Sequence, residues 1–83
     1  MMAVLDFSGG PWPEAEPYHA HPHVQTCYIA EGEIIFYAEN EPEEHLAAGD
    51  MFCVPSGVKH TIRLITPTAR LVDCFAPARE DFL

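Results

Sequence analysis

Apolar side chains take nearly every second position through long stretches of this chain after residue 23. Successive side chains of an extended strand point to opposite faces, so this alternation predicts half-buried strands. VQTCYIA (24–30) is one such run and EIIFYAE (33–39) the next, both rich in β-branched and aromatic residues that suit a pleated surface. Glu31-Gly32 between them predicts a tight turn and a hairpin, glycine supplying a backbone geometry that other residues resist. Asn40–Glu44 is an acidic loop around Pro42, and His45-Leu46-Ala47 is a short strand candidate. Ala48-Gly49-Asp50 reads as a turn, MFCV (51–54) as a strand and Pro55-Ser56-Gly57 as a further turn. HTIRLI (60–65) and ARLVDCFA (69–76) are the last two strands, parted by Thr66-Pro67-Thr68. Ahead of residue 19 the pattern is weak. Val4–Phe7 reads as a short edge strand, and Gly9, Gly10, Pro11, Pro13 and Pro17 interrupt any regular element. No segment sustains a helical period beyond about two turns. The tail PAREDFL reads as one helical turn or a strap across a barrel mouth. Many short strands with turn signals between them predict an all-β sandwich or barrel.

The same alternation sorts side chains by face. His60, Ile62 and Leu64 share one face, and Thr61, Arg63 and Ile65 the other; in the first long strand Gln25, Cys27 and Ile29 lie together. A face that is apolar except for His60 and Gln25 belongs inside the barrel. A buried polar group needs a partner, and a metal ion is a good one. Five histidines is a high count for 83 residues, and three of them stand in HAHPH at 19, 21 and 23. In an extended segment His19 and His21 point the same way and reach one ion together. His23 shares their parity, but Pro22 turns the chain. Three imidazoles and an amide oxygen form an uncharged donor set with room for water or substrate. Such a set takes Zn, Ni, Mn, Fe, Co or Cu. His45, beyond an acidic loop, is not expected to join it.

Composition narrows the partners. Thirteen acidic residues against four basic ones give a net charge of −9, with no Lys/Arg cluster. That excludes nucleic acid as the expected partner, since such binding rests on neutralised phosphates. It also gives no attraction to an anionic membrane, and no apolar run reaches membrane-spanning length. The start MMAVLDF has no basic leader or long apolar segment, so a cytoplasmic location is expected. Cys27, Cys53 and Cys74 are odd in number, lie in strand-like apolar runs and form no CxxC pair. They read as small buried thiols. The length suits one domain spanning 1–83, with a core small enough to profit from a metal or a partner subunit.

The histidines and turns together resemble the cupin superfamily. Its first motif is matched by His19-Ala20-His21, three residues, Gln25, six residues and Gly32; its second, G-x5-P-x-G-x2-H, is complete as Gly49, Pro55, Gly57 and His60. The usual glutamate is Gln25 here, and the early glycine and N-terminal strands of the family are shortened. The resemblance implies a small antiparallel β-barrel (jelly roll), motif 1 lying at 19–32 and motif 2 at 49–60. A closer resemblance, through HAHPHVQTCYIAEGE, AAGDMFCVPSGVKH and LVDCFAPAREDFL, is to the KdgF-type cupins of pectin and alginate breakdown. It implies a divalent metal on His19, His21, Gln25 and His60 and a 4,5-unsaturated uronate monosaccharide converted to its linear keto form. It also implies Asp73, Phe75 and Arg79 as the active-site aspartate, aromatic and arginine. By pattern alone Asp73 reads as an outward polar residue or as a partner of Arg63 or Arg70. On the same footing, Arg79 reads as a surface partner of Glu80 or Asp81, and Phe75 as core. Other functions compatible with the residues are a non-catalytic sugar- or metal-sensing module and a metal-dependent dioxygenase or isomerase of another small acid. A homodimer is expected, because a trimmed N-terminal region leaves a strand edge unpaired.

Overall fold

The computed structural model describes residues 1–76; the tail and Arg79 lie outside the described residues. Among them there are seven strands and no helix: β1 Met2–Phe7, β2 Val24–Glu31, β3 Glu33–Ala38, β4 Glu44–Ala47, β5 Met51–Val54, β6 His60–Leu64 and β7 Ala69–Ala76. All pairings are antiparallel. A four-stranded sheet runs β1-β7-β2-β5 and a three-stranded sheet runs β4-β3-β6. The fold is all-β, with strand ends within a residue or two of those read from the alternation.

The expected hairpin at Gly32 is not formed. β2 pairs with β5 and β7, whereas β3 pairs with β4 and β6, so Gly32 carries the chain from one sheet to the other. A β-bulge between Ile29 and Glu31 bends β2 at its end. Gly32 then adopts a φ of +85°. A Cβ there would strike the Thr68 carbonyl and Ala69, so the corner needs glycine for both conformation and space. The Glu33 amide donates to Thr66 Oγ1 at 3.0 Å, tying the new strand to the β6–β7 loop.

The inward faces of the two sheets make one core of Cys27, Ile29, Ile34, Phe36, Leu46, Phe52, Val54, Ile62, Leu64, Ala69 and Leu71. Phe36 and Phe52 stack between the sheets with ring centres 4.0 Å apart. Ile29, Ile34, Leu64, Ala69 and Leu71 fill the end beside Gly32. Gln25, His60 and Asp73 are also buried, and they sit toward the other end of the same strands.

Residues 10–19, which form no strand, nevertheless lie along the free edge of β6. Trp12 N donates to Leu64 O at 2.8 Å, Glu16 N to Ile62 O at 3.2 Å, and His19 and His60 exchange both backbone bonds at 3.1 and 2.9 Å. The prolines rule out a regular strand but leave the amides that this contact uses. This segment also buries Thr61, whose hydroxyl donates to Glu16 O at 2.7 Å. Parity alone had placed Thr61 on the outer face of β6.

Candidate metal centre

One strand, one bridge and one turn bring the histidines together. The antiparallel bridge between His19 and His60 fixes the first against the last. The Pro55–Gly57 turn then clamps the HAHPH segment. Gly57 N donates to His21 O at 2.9 Å, and Ser56 Oγ donates to Pro22 O at 2.6 Å. The second motif thus holds the first in place, and Gly57 makes the turn with a φ of +79°. Gln25 enters from β2, buried, between Val54 of β5 and Phe75 of β7.

His19, His21 and His60 each offer a ring nitrogen within 4.8 Å of the others, a group suited to one metal ion. Gln25 Oε1 stands 2.9 Å from His21 Nε2 and 3.1 Å from His60 Nε2. The outer nitrogens are already engaged. His60 Nδ1 lies 2.9 Å from Val58 O, and His21 Nδ1 lies 3.2 Å from His23 O. A carbonyl can only accept, so these contacts assign the ring proton to Nδ1 and leave the Nε2 lone pairs facing inward. Two nitrogen lone pairs then meet the lone pairs of an amide oxygen. Acceptors at that range repel unless a proton or a cation stands between them or the amide turns over to present its NH2. Burial, the largest effect on His60, lowers its pKa and disfavours the extra proton; the neighbouring His19 and His21 act in the same direction. A cation is the partner the donor set fits. A hydrogen bond from Nδ1–H to a backbone carbonyl is also the usual support of a metal-bound imidazole.

A cavity of about 170 Å³ opens beside these groups, lined by His19, Gln25, His60 and Asp73, with apolar walls that include Phe7 and Phe52. Asp73 is 4% exposed and turned inward, which removes the reading of an outward residue. Its Oδ1 has no hydrogen-bond partner among the described residues. Arg70, one suggested partner, is held instead by Asp6 through bonds of 2.8 and 3.3 Å. Cys27 is the cross-strand neighbour of Asp73. Burial first, and then that carboxylate, push its thiol well above the ordinary range, so it is no ready thiolate. Phe75 is half-buried, edge-on to His21 with ring centres 5.6 Å apart. His23 stays out of the donor group and lies against Phe75, as Pro22 led one to expect. His45 is exposed and bound to Glu33 at 2.9 Å.

The sequence between residues 11 and 74 matches the family model described as the cupin domain. The chain belongs to the cupin family. Among solved structures, this cupin is similar to KdgF from Halomonas sp., with 28% identity and a TM-score of 0.80 over 100% of this chain and 74% of that one. It is also similar to an RmlC-like cupin from Shewanella frigidimarina NCIMB 400, with 34% identity and a TM-score of 0.72 over 99% of this chain and 71% of that one. The DMSP lyase DddQ from Ruegeria pomeroyi DSS-3 shares 26% identity and a TM-score of 0.81. This cupin is covered over 95% of its length there but spans only 39% of the lyase. No curated protein is significantly similar. Relatives with such different names share a frame, and the frame does not choose between their chemistries.

The sequence found the three histidines by motif and parity. It missed how the site is held. The supports are backbone carbonyls of Val58, His23, His21 and Pro22, which have no residue-type signature.

Proposed function

We propose that this cupin is a metal-dependent enzyme that converts 4,5-unsaturated uronate monosaccharides to the linear keto form. One divalent transition metal is held by His19, His21, Gln25 and His60, and the working unit is a homodimer. The observation that carries the reading is the buried carboxylate of Asp73, which lines the cavity with His19, Gln25 and His60 and whose side-chain hydrogen-bond partner is the Cys27 thiol, a weak donor. A buried carboxylate held by so weak a donor is costly and is explained best by a ligand or a proton it handles. The likeness to KdgF supports the substrate class.

The reaction is an isomerisation. The hemiacetal ring opens with loss of the anomeric hydroxyl proton, and a proton is gained at C4 as the resulting enol becomes a ketone. Asp73 moves that proton. The metal, when bound, supplies a Lewis acid that polarises a substrate oxygen. Phe75 covers the sugar and limits water. Arg79 pairs with the uronate carboxylate, where a guanidinium is suited to bidentate contact.

The test follows the enol-acid absorbance of the unsaturated uronate with metal-loaded protein, alongside product NMR and a control for spontaneous opening. The expected result is a metal-dependent rate that falls about 10²-fold or more in Asp73→Asn. No rate above the control, with metal bound, overturns this reading. One observation favours a second reading. No Lys or Arg among the described residues lines the cavity, and much of its wall is apolar. Turnover of a smaller, less polar acid by the metal-loaded protein, with no rate on the uronate above the control, would point to the isomerase or dioxygenase alternative.

A further inference from the structure

The reaction proposed above moves two protons. Asp73 handles the one gained at C4, and the one lost from the anomeric hydroxyl needs a base. The chain holds thirteen acidic residues, and among the described residues only Asp73 and Glu16 line the cavity. The segment around Glu16 forms no strand, so its sequence carries no parity to read. Its backbone bonds to β6 supply one. Residues directly opposite each other in an antiparallel pair put their side chains on the same face. Trp12 bonds to Leu64 and packs against the core with it, and His19 bonds to His60 and joins it in the metal-binding group. Glu16 N donates to Ile62 O at 3.2 Å, and Ile62 is a core residue. Glu16 therefore faces inward as well, and it lines the cavity.

The main chain of Glu16 is held twice, because its carbonyl also accepts the Thr61 hydroxyl at 2.7 Å. Neither bond uses the carboxylate. The two cavity carboxylates stand on opposite walls. Asp73 comes from β7 of the four-stranded sheet, and Glu16 from the segment laid along β6 at the edge of the three-stranded sheet. Their surroundings differ: Asp73 is buried, whereas Glu16 is exposed at the mouth, where Leu5 of β1 is also exposed. Two carboxylates in unlike surroundings are suited to divide acid and base work between them. The one in contact with water can shed a proton to solvent after each turnover.

We propose that Glu16 is a catalytic residue, the base that takes the proton of the anomeric hydroxyl. This rests on the uronate reading above and assigns its first proton transfer. The O–H electrons form the C1 carbonyl, the bond from C1 to the ring oxygen breaks, and its electrons remain on that oxygen as an enolate. The enolate becomes the C5 ketone as the C4=C5 pair takes a proton at C4 from Asp73. Glu16 ends with one proton more and Asp73 with one fewer, and water at the mouth restores both. No oxidant or reductant is needed.

The test compares the full, metal-loaded protein with Glu16→Gln and Glu16→Ala. Both substitutions keep the two main-chain bonds. The expected result is a kcat lower by about 10²-fold in each variant, with KM, metal content and strand signal unchanged. Formate, a small carboxylate able to enter at the open mouth, should raise the rate of Glu16→Ala in a saturable way. It should not raise that of the parent or of Asp73→Asn, and sodium chloride at equal ionic strength should have no effect. A kcat unchanged in Glu16→Gln, while Asp73→Asn still loses activity, overturns the base and leaves the uronate reading standing. A raised KM at unchanged kcat makes Glu16 a binding group and overturns it too. So does a lower kcat that comes with lost metal or strand signal, or that formate does not relieve. No metal-dependent turnover by the parent overturns both the base and the uronate reading.

Discussion

At residue 25 an amide stands among three imidazoles, so the donor set carries no formal charge and a bound ion keeps its full electrophilicity. Gln25→Glu is expected to hold the metal more tightly than the parent while lowering the uronate rate. Gln25→Leu is expected to weaken metal retention about 10–100-fold in chelator competition. His60 gives a pH dependence of known sign. Its folded pKa lies below the ordinary 6.5, chiefly through burial, so the unfolded chain binds more protons as the pH falls past that value. The stability of the metal-free protein is therefore undiminished by this group above pH 6.5 and declines below it. Urea midpoints at about pH 7.5 and 5.5 will show the drop, and His60→Gln will show a smaller one. The direction of Asp73 was not legible in the sequence for a simple reason. In β7 both alternating sets are largely apolar, Ala69, Leu71 and Phe75 against Val72, Cys74 and Ala76, so parity could not say which faces the core. Only pairing with Cys27 and the burial of Leu71 settle it.

Strand positions were legible because alternation, turn glycines and prolines are local signals. Which sheet each strand joins was not. β2 and β3 look like a hairpin, and nothing local to Glu31-Gly32 distinguishes a two-residue turn from a corner between sheets. The distinguishing contacts are with Thr66, Thr68 and Ala69, more than thirty residues away. The corner makes a prediction. Gly32→Ala meets both a positive φ and a blocked Cβ position, whereas Gly49→Ala meets a φ of +97° with open space. Gly49→Ala should cost about 1–2 kcal/mol and Gly32→Ala clearly more, read from denaturant unfolding with the slope unchanged. Leu64→Ala, at a fully buried position of β6, should cost about 2–5 kcal/mol without changing the metal donors. The lacing of residues 10–19 along β6 lay equally beyond local pattern, because it uses backbone amides between prolines.

For the whole molecule, a small core and a polar end work together. Buried Gln25, His60 and Asp73 put polar groups at one end of the sandwich, where a bound ion would satisfy them. At about 100 times its Kd an ion adds about 2.7 kcal/mol. In a domain of this size each kcal/mol moves Tm by about 4–8 °C, so chelation should lower Tm by roughly 10–20 °C. The uncharged rows on the outside of the four-stranded sheet, where Cys53 and Cys74 prove exposed rather than buried, are likewise a property of the whole surface, visible only once the registers place Tyr28 beside Val72 and Met51. The central claim is that one ion sits where His19, His21, Gln25 and His60 converge. The most direct measurement is anomalous diffraction from crystals of the full chain grown with a divalent transition metal. One anomalous peak per chain is expected, within about 2.0–2.3 Å of ring nitrogens of the three histidines and the amide oxygen of Gln25. A peak on other residues, or no peak at these four with the metal in excess, would contradict it.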